Sequence, residues 1–241
     1  MNSTQLTQIR NYLLDKKLPI DILVEVYDHF ISQISQLQVE EDLGFDEAFA
    51  HVKNSWQDDL KLYWNGSWDL QDNSRFLRKI YLSINLAVLK QTLKCGGLVL
   101  IALFLMAQLF SSELFSYLLT AAMVLLTIIP PIHFLHHRPD FNLAKKYNKY
   151  VLTYYQHSPA IFFSSFAVLI PNLERIFNHS QDIFTVSRFV QPNLSTGSSL
   201  FPWIVFLFLI FGNALIFITQ KKYLSQIHKV KPFLKFLKPQ A

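Results

Sequence analysis

The chain has 241 residues, of which 51% are hydrophobic and 15% aromatic, while only 16% are charged. This composition is more apolar than that of a typical soluble domain and indicates a membrane protein. The formal net charge of +5 does not indicate nucleic-acid binding, because the basic residues flank apolar runs and do not form a separate basic domain. The single cysteine, Cys95, excludes an internal disulfide and a thiolate metal cluster within one chain.

Residues 1–73 predict a small cytoplasmic domain of three amphipathic helices. Ser3 or Thr4 is expected to cap the first helix, Pro19 to lie in the first turn of the second, and Asp46 to cap the third. The apolar positions recur at spacings of three and four: Ile22, Val26, Phe30, Ile34 and Leu37 in the second helix, and Phe49, Val52, Trp56, Leu60 and Tyr63 in the third. Since this stretch is polar and mixed in charge, no signal peptide is expected, and an uncleaved internal segment would direct insertion.

Residues 74–94 predict a basic amphipathic connector helix. Its apolar face is flanked by five basic residues, and Trp64, Trp68 and Tyr81 could add interfacial aromatic rings. Two arrangements remain open, because such a helix either lies in the membrane interface or leads directly into the first span.

The apolar runs that follow predict four transmembrane helices, arranged as two hairpins, at about 95–112, 114–135, 151–173 and 200–219. Glu113 is the only charged residue between Lys94 and Arg138, so the first two runs form a hairpin with a tight turn. Gly96 and Gly97 offer a small surface for close helix approach. The fold class is therefore all-α: a three-helix cytoplasmic domain, the connector, a four-helix membrane bundle over residues 95–222, and a basic tail over residues 223–241.

The charge pattern predicts the orientation. Basic residues lie before the first span, in the middle loop and after the last span, whereas the turn at Glu113 has none. The positive-inside rule therefore places both termini in the cytoplasm of a bacterial cell, with the spans in the inner membrane. The basic residues expected at the membrane interface are Arg75, Arg78, Lys79, Lys90, Lys94, Lys145, Lys146, Lys149, Lys221 and Lys222.

Three histidines form the sharpest local pattern: His133, His136 and His137, called here the histidine cluster. Their spacing puts them on one side of a helix, and neutral imidazole is a common ligand of transition metals. The HxxHH pattern resembles one histidine box of the membrane desaturase and hydroxylase family, which needs several boxes, and no second box follows. The alternatives are a metal site, structural or catalytic, and an interfacial cluster at a helix end. No other cofactor is expected.

Glu25, Asp28 and His29 share part of the second predicted helix. Glu25 and His29, four residues apart, could bind a metal or exchange protons, but a solvated pair is the simpler interpretation. These three residues, followed by Gly44, Ala48 and Trp56, resemble the motif of the HAAS-type or permease-prefix helical domains of bacterial membrane proteins. The resemblance covers residues 5–60. It implies a cytoplasmic helical module on a membrane anchor, associated with transcriptional regulators or transporter components, and no enzyme activity.

Three functions follow from these features. The first is a non-enzymatic regulatory or assembly protein whose N-terminal domain binds a cytoplasmic partner through Glu25, Asp28, His29 and Trp56. The second is a small transporter or transporter subunit, in which Pro130, Pro131, Pro159 and Pro171 break helices along a path and Asn213 is a polar contact in mid-span. The third is a metal-dependent membrane enzyme that uses the histidine cluster. Apart from such a protein partner, the expected partner is the lipid bilayer, and homo-oligomerisation is compatible with the sequence.

Overall fold

A computed structural model describes residues 1–63, 73–157, 174, 176–188 and 201–238. These residues are almost entirely helical, so the all-α prediction is confirmed. The chain forms two compact units. The first contains Met1–Leu86, Pro139–His157 and Tyr223–Ala241, and the second contains Ala87–Arg138 and Ser158–Lys222. The first unit therefore joins the N-terminal domain to a middle segment and to the end of the chain, whereas residues 1–73 were expected to form a domain alone.

The N-terminal helices of the first unit are α1 (Ser3–Leu14), α2 (Ile20–Glu40), α3 (Phe45–Ser55) and the short α4 (Gln57–Leu60). The core of this region contains one buried residue of α1 (Leu13), three of the apolar positions predicted in α2 (Val26, Phe30 and Ile34) and one of those predicted in α3 (Val52). Burial of such side chains contributes about 1.5–3 kcal/mol each.

The predicted helix boundaries need three corrections. Asn2, and neither Ser3 nor Thr4, caps α1: its side chain accepts a hydrogen bond from the backbone amide of Gln5, and the backbone amide of Asn2 donates one to the side-chain oxygen of Gln5. Gly44 is the N-cap residue of α3, so Asp46 already lies inside that helix. Pro19, expected in the first turn of α2, is its N-cap residue. A side-chain cap satisfies backbone amides that the helix leaves unpaired, which favours asparagine at position 2.

The third predicted helix also ends earlier than expected. It stops at Ser55, with Trp56 at its C-cap, and Tyr63 belongs to a strand. The strands β1 (Leu62–Tyr63) and β2 (Asn73–Ser74) pair antiparallel and are the only strands in the described part of the chain. Arg78 donates hydrogen bonds to the carbonyls of Tyr63 and Asn73, which ties this hairpin to the helix that follows. Trp64 and Trp68 lie outside the described residues.

The middle segment begins with α7 (Arg138–Lys146), and residues 151–153 then run in an irregular conformation before a 3-10 turn at Tyr154–His157. The amides of Ile20 and Asp21, at the start of α2, donate hydrogen bonds to the carbonyls of Val151 (2.8 Å) and Leu152 (3.1 Å). The start of the span predicted at 151–173 is therefore wrong, because residues 151–157 belong to the first unit and form no α-helix. The remainder, 158–173, lies outside the described residues.

The second unit contains most of two long helices, α5 (Arg75–Leu109) and α6 (Ser112–His136), the short α8 (Ser180–Ser187) and most of α9 (Phe201–Val230). Three helices in the described residues are long and apolar enough to cross a membrane: Arg75–Leu109, Ser112–His136 and Ile204–Phe236. They coincide with the spans predicted at 95–112, 114–135 and 200–219. The connector predicted at 74–94 is continuous with the first span, because α5 runs without a break through both.

The core of the second unit lies between α5, α6, α8 and α9. Met123 and Phe115 of α6 pack in it with Ile183 and Leu209. Gly96 of α5 is buried against Phe211, and a Cβ atom at this position would overlap the Phe211 ring. The expectation that this glycine pair allows close helix approach is confirmed for Gly96, whereas Gly97 has open space beside it.

Residues 176–188 pack against the hairpin end of α5 and α6. Ser180 donates a hydrogen bond of 2.6 Å to Ser116 near the start of α6. Arg188 donates to the carbonyls of Ala107 (2.7 Å) and Phe110 (3.0 Å) at the C-terminal end of α5. A guanidinium at this position satisfies carbonyls that a helix leaves unpaired and complements the negative end of the helix dipole. Arg188, a cation from another segment, thus binds backbone carbonyls beside the turn at Glu113.

Candidate functional site

The structure separates the four residues predicted to bind a partner. Asp28 and His29 are exposed on α2. Glu25 is exposed too, but its carboxylate lies 3.3 Å from the ammonium of Lys229, at the end of α9. Trp56 is half-buried between the rings of Phe30 and Phe76 and donates a 2.9 Å hydrogen bond to Gln33. Trp56 therefore acts in the core, and Asp28 and His29 remain the accessible part of the predicted site.

The C-terminal 3-10 helix, Lys231–Phe236, packs beside this surface. The ring of Phe233 meets Tyr27 edge to face, with 6.5 Å between centroids, and the guanidinium of Arg10 lies 4.2 Å from the centroid of Phe236. These contacts attach the tail to α1 and α2. The tail, predicted to be a separate basic cytoplasmic segment, is therefore part of the first unit together with the N-terminal helices.

Asp21 is a buried acid that the sequence did not single out. It is 5% exposed, and its carboxylate accepts a 3.0 Å hydrogen bond from the amide of Ile22. Burial raises the pKa of Asp21 to about 6, because the charged form is desolvated, although backbone amides of Ile22 and Tyr154 oppose the shift. The sequence carries no local signal for this burial, since residues distant in the chain cover the start of α2.

The histidine cluster lies at the C-terminal end of α6. Ring centroids of His133 and His137 are 4.9 Å apart, and those of His136 and His137 are 4.8 Å apart. Nδ1 of His133 lies 2.9 Å from Oε1 of Gln220 in α9, a hydrogen-bonding distance that joins the two helices. Among the described residues, no group of three His, Cys, Asp or Glu side chains is arranged to hold a metal ion. The metal site remains a prediction.

A second polar contact joins α6 and α9 within the apolar core. The amide nitrogen of Asn213, a residue that is 2% exposed, donates to the hydroxyl of Thr127 (3.3 Å) and to the carbonyl of Leu209 (2.7 Å). Pro130 and Pro131 follow in α6 and carry no N–H, so the carbonyls four residues before them lose their usual helical donors. Polar side chains that are buried in the apolar core of a membrane protein cost free energy and are frequently functional.

The basic residues predicted at the interface differ in their surroundings. Lys79, Lys90 and Lys94 are exposed on α5, whereas Arg78 is held by the β1–β2 hairpin. The ammonium of Lys221 lies 5.2 Å from the centroid of the Phe217 ring. The remaining residues lie on α5 (Arg75), α7 (Lys145 and Lys146), the loop after it (Lys149) and α9 (Lys222).

Comparison with protein-family models, with curated proteins and with solved structures finds no match for this chain. The resemblance of residues 5–60 to the HAAS-type or permease-prefix domains therefore stays a prediction. Any function must be argued from the geometry of the two units.

Proposed function

We propose that the chain is a four-span protein of the bacterial inner membrane with both termini in the cytoplasm. The chain enters the first unit at Pro139, shortly after the end of α6, and again at Tyr223, within α9. Helix α5 begins in the first unit and leaves it after Leu86. Two helices that end on the same side of a bilayer require one further crossing between them. We assign this crossing to residues 158–173, the remainder of the span predicted at 151–173.

The orientation follows from the same connectivity and from charge. Of the basic residues predicted at the membrane interface, Arg75, Arg78, Lys79, Lys145, Lys146 and Lys149 belong to the first unit, whereas Lys90, Lys94, Lys221 and Lys222 lie near the points where α5 leaves that unit and α9 enters it. The positive-inside rule assigns these residues to the cytoplasm. At the opposite end, near Glu113, Arg188 is the only lysine or arginine among the described residues of the turn and of segment 176–188, and it binds carbonyls of α5.

The first unit is proposed to be the working part, as a non-enzymatic module that binds a cytoplasmic regulator or transporter component in a regulatory or assembly role. The observation that carries this proposal is the exposure of Asp28 and His29 on a helix whose opposite face is held in a core. Such a rigid helix, attached by the middle segment and the tail to the membrane helices, suits recognition without catalysis.

Site-specific photo-crosslinking in the full-length chain tests this function. A photoreactive residue at position 28 or 29 should give the same discrete cross-linked partner, and Asp28→Arg should abolish the cross-link formed from position 29. Asp58→Arg, an equal charge reversal at another exposed acid of the same unit, is the matched control and should leave it intact. Absence of a discrete product, or equal loss with Asp58→Arg, would contradict the proposal.

The contact between Asn213 and Thr127, next to Pro130 and Pro131, favours a second candidate, a small transporter or transporter subunit. In that case the polar contact would line a path in mid-span. Solute or ion flux in proteoliposomes that disappears with Asn213→Leu would support this candidate. Flux that is absent from the unmodified protein would argue against it.

A further inference from the structure

An apolar stripe runs along α5 before it reaches the long apolar part of the helix. It consists of Leu82, Leu86, Leu89 and Leu93, which are 48–63% exposed. At about 100° per residue, these four side chains fall within an arc of about 60°. We call this surface the leucine stripe. Exposed leucines in a continuous row are unusual on a surface that only water covers, and such a row marks an interaction site.

Three lysines follow one edge of the leucine stripe. Lys79, Lys90 and Lys94 are all exposed, and the same helical geometry places them in the adjoining arc of about 60°. On the other edge, the helix is packed against its own unit: the rings of Tyr81 and Tyr154 are 4.3 Å apart, and Tyr154 donates a 2.7 Å hydrogen bond to Asn85. The leucine stripe and its lysines thus lie away from this contact and are exposed.

The length of α5 indicates what covers this face. Its 35 residues extend about 52 Å, whereas the hydrocarbon core of a bilayer is about 30 Å thick. Residues 95–109, after the last lysine, extend only about 22 Å. The level of Leu89 and Leu93 therefore reaches the boundary between acyl chains and head groups, and the apolar surface continues without a gap into the exposed Leu98 and Ile101.

We propose that the leucine stripe binds anionic phospholipid, with the leucines against the upper acyl chains and the ammonium groups of Lys79, Lys90 and Lys94 on the phosphates. Lysine stems lie along apolar surface while their charged ends reach the head groups, which the adjoining arcs permit. Clusters of basic residues directly beside a membrane helix favour anionic lipid by charge. This inference rests on the membrane insertion in the proposed function and adds a lipid class to it.

The test uses the full chain in nanodiscs with one fluorophore. Cys95→Ser removes the only native thiol, and Leu86→Cys provides a labelling position within the stripe. Spin-labelled phosphatidylglycerol and spin-labelled phosphatidylcholine are compared as quenchers at equal mole fraction. We expect phosphatidylglycerol to be preferred about fivefold, the value that even one lysine at an anionic surface provides. Lys79→Gln/Lys90→Gln/Lys94→Gln should equalise the two lipids.

The matched control is Lys16→Gln/Lys17→Gln/Lys61→Gln, which removes three positive charges at other positions of the chain and should keep the preference. Equal quenching by both lipids in the unmodified lysine background would overturn the inference, as would a preference that survives removal of the three α5 lysines. A fluorophore that neither lipid quenches would mean that protein, such as a second copy of the chain, covers the stripe. Retention of the chain in the nanodisc is measured separately, so loss of insertion would count against the proposed function instead.

Discussion

Replacement of Asp21 by asparagine should change how the first unit responds to pH. The pKa of Asp21 is raised from 3.8 to about 6 by burial. A carboxyl whose pKa is higher in the folded state contributes stability that is fully present below pH 3.8 and is lost as the pH rises through about 6. Deprotonation then leaves a charge in a desolvated position, near Glu25, which adds a smaller repulsion.

The magnitude follows from the size of the pKa shift. A displacement of about two units corresponds to about 3 kcal/mol between fully protonated and fully ionised forms. Because part of this change lies below pH 4.5, the unit should lose about 2 kcal/mol between about pH 4.5 and about pH 7.5. Asp21→Asn removes that loss, although the new amide brings a donor whose burial costs about 1–3 kcal/mol at every pH.

Hydrogen exchange in the full-length protein measures this effect locally. The amides of Ile20 and Asp21, which bond to the carbonyls of Val151 and Leu152, report opening at the start of α2. After correction for intrinsic exchange, their protection should fall about thirtyfold from about pH 4.5 to about pH 7.5, as about 2 kcal/mol requires. Asp21→Asn should abolish this fall, and Asp28→Asn, at an exposed acid of α2, should not. Identical pH dependence in the unmodified protein and in Asp21→Asn would refute the reasoning.

Three further predictions concern packing and metal content. Gly96→Leu should lower the free energy of unfolding of the second unit by about 1–3 kcal/mol, because the new side chain would collide with the Phe211 ring. Gly97→Leu should be nearly neutral, and thermal unfolding in detergent compares the two variants. Trp56→Phe should lower the free energy of unfolding by about 1–3 kcal/mol, because it leaves Gln33 without its indole donor. Equal stability of this variant and the unmodified protein would contradict the placement of Trp56 in the core. If the histidine cluster binds a metal, protein purified without a histidine tag should contain a stoichiometric transition metal that a chelator removes; metal analysis that finds none contradicts the site.

The parts of the fold that the sequence could predict are those with a local signal. The apolar periodicity of α2 and the runs at 114–135 and 200–219 are properties of neighbouring residues, so their helices appear where expected. Residues 151–157 were also predicted to be helical, but Val151 and Leu152 accept hydrogen bonds from the start of α2. This contact lies far away in the sequence, so the local pattern does not indicate it. Tertiary contacts override local preference in such segments.

The candidate sites likewise contain residues that a local sequence pattern could place and residues whose position depends on distant contacts. Asp28 could be placed on the surface from periodicity alone, because it lies opposite Val26 and Phe30 on the helix. Asp21 has the same residue type and the same helix, but its burial depends on Leu152, more than a hundred positions away in the chain. Likewise, the partner of Glu25 is Lys229, which no pattern around either residue indicates.

The first unit draws on the beginning, middle and end of the chain, and this has a consequence for biosynthesis. Helices α1, α2 and α3 are synthesised before Tyr223 and Val230, although both of these residues are fully buried in the same unit. Contacts between such distant segments must wait until the chain between them has been synthesised. A nascent chain that stalls before α9 would leave the domain open and its apolar surfaces accessible to proteases. Completion of the unit therefore requires that α5, α6 and α9 have already been made.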